Sequence, residues 1–146
     1  MRILAALAAL ALAGCAAVVP SPPPSGPAPA PEAAPSSRAE NPAVAGLLDA
    51  ARADVASGRL MNAAATLERA LRIEPRNPRL WAELARVRLK QGDYAQAEST
   101  ARRSNSWAGS DNALRADNWR LIAQTREARG DGEGARSALE QADRQR

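Results

Sequence analysis

The stretch PRLWAELARVRLKQGDYAQAESTARRS, Pro78 to Ser104, decides the fold. Trp81, Leu84, Ala85 and Leu89 recur at helical spacing. Gly92 and Asp93 break the run, and Tyr94, Ala97 and Ala101 begin a second one. The pattern predicts a helix, a tight turn and a helix.

The same pattern flanks it on both sides. The turn glycines Gly58, Gly92 and Gly130 recur at similar intervals, the second slightly longer than the first. Aligned on them, Leu47, Trp81 and Trp119 share one position. Ala50, Leu84 and Ile122 share the next large position, followed by the small residues Ala51, Ala85 and Ala123. In the second helices Ala63, Ala97 and Ala135 align, then Leu67, Ala101 and Leu139. Six helices are expected, at about 43–57, 60–73, 79–91, 94–104, 111–129 and 132–143. Asn41-Pro42 and Gly58 bracket the first with a capping side chain, a first-turn proline and a left-handed stop. With no Phe, one Tyr and no alternating Val/Ile/Thr run, strand signals are absent. The extra length of the third copy is expected in the turn-rich NSWAGSDN segment, residues 105–112. Trp107 in that segment either plugs the gap between copies two and three or stands exposed.

This pattern resembles the tetratricopeptide repeat, a helix pair of about 34 residues with large residues early in the first helix and small ones at the crossing. The resemblance covers residues 43–143 and implies an all-α fold, a short solenoid of three antiparallel hairpins at about 44–77, 78–111 and 116–146 within a domain spanning 42–146. Ala51, Ala85 and Ala123 stand in place of the usual glycine, and Asp54, Arg88 and Arg126 in place of the usual aromatic. Trp81, in the middle copy, is expected to be packing rather than a ligand platform.

The chain before residue 42 has another character. Ile3 to Ala13 is an unbroken apolar run behind Arg2, too short to cross a bilayer core of about 30 Å. It reads as a signal peptide over 1–14. Leu12-Ala13-Gly14-Cys15 resembles the bacterial lipobox, which implies a lipidated Cys15; the competing reading is a secretory signal cut near Ala17. Ala16 after the cysteine, rather than Asp, implies by that resemblance export to the outer membrane. Nine of the eleven prolines fall between Pro20 and Pro42. Residues 15–41 are therefore expected to be a disordered linker, with a reach of up to roughly 80 Å.

Composition excludes most chemistry. There is no His and one Cys, so no Cys/His metal cluster or intramolecular disulfide can form. No catalytic carboxylate pair or phosphate-cradling loop is recognisable, so an enzyme is not expected, nor a cofactor, metal or small-molecule substrate. Nineteen of the 20 cations are Arg, Lys90 being the exception, and 16 carboxylates are interleaved with them. Such mixing reads as a solvated surface rather than a nucleic-acid site.

Binding remains. The family geometry implies a concave face lined by the first helix of each hairpin. On it fall Arg52, Arg79, Arg86, Lys90, Arg120 and Gln124, with Asp117 and Glu127 as an acidic edge. These arginines either grip a carboxylate-bearing partner segment or only solubilise the face. A lipoprotein signal, a Pro-rich tether and a small repeat domain together resemble the outer-membrane activators of class A penicillin-binding proteins. That resemblance implies a lipid-anchored periplasmic protein whose partner is the periplasmic region of a peptidoglycan synthase. The alternative is an adaptor or pilotin for assembly of an envelope secretin or pilus complex; a third and weaker reading is a direct peptidoglycan binder.

Overall fold

In the computed structural model, residues 41–146 are described; the expected signal peptide, Cys15 and the expected linker as far as residue 40 lie outside them. Six helices follow one another: α1 Pro42–Ala56, α2 Leu60–Ile73, α3 Pro78–Lys90, α4 Tyr94–Trp107, α5 Asn112–Ala128 and α6 Gly132–Asp143. The fold is all-α, with no strand among the described residues. The helices pair as three antiparallel hairpins, α1 with α2, α3 with α4, α5 with α6. Each hairpin packs on the next through α2 against α3 and α4 against α5.

The helix ends are built by local chemistry. Asn41 and Asn77 accept hydrogen bonds from first-turn amides of α1 and α3, and each is followed by a proline. Asp111 and Asp131 do the same for α5 and α6. The three hairpin turns share one hydrogen-bond pattern. The amides of Arg59, Asp93 and Asp131 reach back to the carbonyls of Asp54, Arg88 and Arg126 at 2.8–2.9 Å. The intervening Gly58, Gly92 and Gly130 sit at φ between +73° and +79°. This is the Schellman closure, which needs a left-handed residue that only glycine adopts without penalty. No atom lies within 4 Å of a Cβ placed on Gly92, so its replacement tests conformation alone. Gly92→Ala is expected to cost about 1 kcal/mol, read as a lower thermal midpoint with unchanged helical circular dichroism.

Small residues set the hairpin spacing. Ala51 with Ala63, Ala85 with Ala97, and Ala123 with Ala135 are all buried. Alanine at a crossing lets the helix backbones approach, and the larger side chains then fill the space between hairpins. Leu67, Leu80 and Leu84 lead the first core layer, and Leu121 and Ile122 the second. Helix α3 contributes Leu84 to one layer and Ala85 to the other, so the middle hairpin is clamped from both sides.

Three expectations need correction. The α2–α3 and α4–α5 connections have the same length, and α4 runs on through Trp107. The extra length is one additional turn at the start of α5, which has 17 residues against 13 in α3. Counted from its start, Arg115 therefore takes the place of Trp81. The substitution keeps the same job. Trp81 Nε1 donates to the Pro75 carbonyl, and the Arg115 guanidinium donates to the carbonyl of Gly109, the equivalent position one repeat later. Second, Ala50 is exposed although its counterparts Leu84 and Ile122 are buried, because no hairpin covers that side of α1 among the described residues. Third, Leu139 is 47% exposed on the outer side of α6, where its counterparts Leu67 and Ala101 are buried under the following hairpin.

Candidate functional site

Helices α1, α3 and α5 line an inner groove. Its first part is a cavity of about 360 Å³ between α1 and α3. Leu48, Leu80 and Ala82 form its apolar wall, and Leu114, from the extra turn of α5, reaches its edge. Arg52, Arg79 and Arg86 stand around it. The second part, of about 450 Å³, continues between α3 and α5 past Leu89 and Leu121. Arg86, Lys90, Arg120 and Gln124 line that part, so Arg86 belongs to both. The six groove residues read from the sequence thus lie on one continuous face. Cys15 lies outside the described residues.

The charge of this face differs from the expectation of a basic groove. Arg52 pairs with Asp49 at 3.3 Å, Arg86 with Glu83 at 3.1 Å, and Arg120 with Asp117 at 2.8 Å. Each carboxylate sits three residues before its arginine on the same helix. In the first part of the groove three acids, Asp49, Glu74 and Glu83, face three arginines. The positive charge there is compensated, and only the second part keeps an excess. Pairs of this exposed kind contribute little stability, about 0–1 kcal/mol. Their arginines can exchange one carboxylate for another at small cost. The signal was present in the sequence as the i, i+3 spacing of each acid and arginine.

The joints behind the groove are polar where the family usually places aromatics. Arg88 of α3 donates to Glu68 of α2 at 2.6 Å. Arg126 of α5 reaches Glu98 of α4 at 2.8 Å, and the Gly134 carbonyl at 3.1 Å. Glu98 also receives Arg102 at 2.9 Å and lies 3.5 Å from Arg129. Burial pushes the Glu98 carboxyl up, but hydrogen bonds from Arg126 and Arg102, and their charge, bring it below the ordinary glutamate value. Sequence reading missed a second polar joint. Buried Asn118 donates to Ser104 Oγ at 2.7 Å and to Asn105 Oδ1 at 2.9 Å. Ser104 Oγ in turn donates to the Pro78 carbonyl at 2.7 Å, which ties α3, α4 and α5 together.

The three tryptophans are partly exposed, each with an arginine over its ring. Trp107 does not plug the gap between copies two and three. It is 40% exposed at the end of α4, beneath Arg76 of the α2–α3 turn.

Comparison with known proteins agrees with this architecture. The tetratricopeptide repeat family matches residues 54–116. The solved globular C-terminal domain of P. aeruginosa LpoP is 50% identical, with a TM-score of 0.69, over 70% of this chain and 97% of that one. The chain belongs to the LpoP-like tetratricopeptide-repeat proteins. No match was found among curated proteins. LpoP-like repeat domains are protein-interaction folds.

Proposed function

We propose that this protein is an outer-membrane lipoprotein, anchored through Cys15, whose repeat domain binds and activates a class A penicillin-binding protein in the periplasm. The observation that carries the reading is the continuous inner groove, present in a domain half identical to that of LpoP. A groove with an apolar wall and an exchangeable charged rim accepts a partner segment without a chemical step. Apolar anchors fill the part between α1 and α3, and carboxylates of the partner compete for Arg86 and Arg120. The length of the Pro-rich residues 15–41 suits a domain that reaches from the outer membrane through the cell-wall layer to an enzyme rooted in the inner membrane. The domain modulates the synthase by contact and performs no catalysis itself.

The test uses the chain from residue 16 and the periplasmic region of a class A synthase. Binding is expected, together with faster glycan polymerisation. Arg86→Glu places a negative charge at the junction of both parts of the groove and leaves Glu83 unpaired. It is expected to weaken binding by roughly tenfold, about 1.4 kcal/mol, with little change in the thermal midpoint. Absence of both binding and stimulation by the wild-type chain would sink the proposal.

A further inference from the structure

A second groove lies between α2 and α4, with α3 as its floor, and its charge is not balanced. It holds about 360 Å³ beside Trp81 and Leu84. Arg72 lines its α2 wall, and Gln96 and Thr100 its α4 wall. The α4 stripe continues with Arg103 and Trp107, three and seven residues after Thr100 and so on the same helical face. Arg103 lies over the Trp81 ring at 5.0 Å, and Arg76 over the Trp107 ring at 5.2 Å. The Trp81 indole is itself fixed by its 2.9 Å bond to the Pro75 carbonyl.

The acid in this groove, Glu68, is held by Arg88. Arg72, Arg76 and Arg103 form no ion pair with any described residue. Uncompensated cations therefore gather on this outer face, whereas Arg52 and Arg86 of the inner groove's first part are paired with Asp49 and Glu83. A guanidinium held over an indole loses little further freedom when it binds, and its N–H edge stays open to a carboxylate. Trp and Arg are also the residues that dominate binding energy at protein interfaces.

We infer that the outer groove along α4, from Trp81 to Trp107, is a docking site for an extended, carboxylate-rich segment of a partner protein. Charge complementarity selects the acidic peptide. A membrane surface fits less well, because arginines lie over the indole rings that would enter the lipid. Ile73 and Trp107 alone are large exposed apolar residues at that end of the domain.

The experiment needs no knowledge of the natural partner. The isotope-labelled chain from residue 16 is titrated with deca-glutamate at physiological salt, with deca-glutamine and phosphatidylglycerol vesicles as comparison probes. Saturable shifts of the Trp81 and Trp107 indole N–H signals are expected with deca-glutamate and not with deca-glutamine. Arg76→Glu with Arg103→Glu should weaken binding at least tenfold, and Arg86→Glu in the inner groove less than twofold. Arg76→Gln, a change confined to a surface turn, should weaken it severalfold and guards against a folding defect in the double variant. Shifts centred on Arg86 and Lys90, equal loss with Arg86→Glu, no saturable binding, or binding to the vesicles alone would each overturn the inference. The result is independent of whether a penicillin-binding protein occupies the inner groove.

Discussion

Ile122→Ala should be the most damaging single truncation among those considered, while Leu139→Ala should be almost silent. Both residues fall in hydrophobic columns of the repeat alignment. Ile122 is 0% exposed and packs in the second core layer with Ala97, Ala101 and Ala138. Its neighbours are mostly alanines, which have no side-chain freedom to move into the space. Removing three methyl-sized groups there leaves a void as well as lost transfer energy, about 3–4 kcal/mol in all. For a domain of this size that is a fall in thermal midpoint of roughly 15–20 °C. Leu139 is half in solvent already, and its truncation should stay within about 0.5 kcal/mol. Urea unfolding of the two variants checks both values. A loss at Leu139 approaching that at Ile122 would mean that α6 is covered by another surface in solution.

The helices were legible because their signals are local. Asn41-Pro42, Gly58, Gly92 and Gly130 mark ends through single-residue chemistry, and the observed boundaries follow them closely. The small residues at the hairpin crossings were legible because the repeat shows each position three times. What the sequence did not reveal depends on position along the stack. Ala50 and Leu139 occupy core columns, yet a column is buried only where a neighbouring hairpin exists to cover it. The extra turn of α5 is hidden because NSWAGSDN is rich in turn formers and reads as an insertion in the loop. Residues 105–107 of it nevertheless continue α4, and the next helix supplies the added turn instead. The six groove residues share one face, and Asp117 stands on it as the acidic edge, but α1 and α3 are less basic than their arginines alone suggest. Asp49 and Glu83 lie three residues before Arg52 and Arg86, and the same helical geometry brings them alongside. The outer groove was hidden for a related reason. Trp81 packs against the first core layer, as its repeat position implies, but it also lines the outer groove, and a sequence pattern cannot show that Arg103, on the following helix, lies over its ring.

Glu98→Ala is expected to lower stability at pH 7 by about 2 kcal/mol, and by much less in acid. Glu98 is the meeting point of α4 and α5, with Arg126 and Arg102 bonded to one carboxylate oxygen. Its side chain is 13% exposed, so the site is neither a solvated surface pair nor a fully dry one. Loss of hydrogen bonds to a charged group costs about 1.5–3 kcal/mol, and breaking a fully buried pair about 3–5; the partial access of water places this joint at the lower end. The midpoint at pH 7 should fall by roughly 10 °C. The acid dependence has a definite sign. The folded-state value of Glu98 is lowered from 4.5, so the folded chain holds this carboxylate ionised at pH values where the unfolded chain begins to bind a proton. Its contribution is complete above 4.5 and is lost as pH falls through the lower folded value. Wild type and variant should therefore differ fully at pH 7 and converge progressively as pH falls below 4.5 and through the lower folded value. A difference of the same size at pH 7 and pH 3 would show that the alanine acts through lost packing and not through the ionised joint. Convergence would identify the Glu98 cluster as an ionic clasp between the second and third hairpins, set where related repeats place an aromatic side chain.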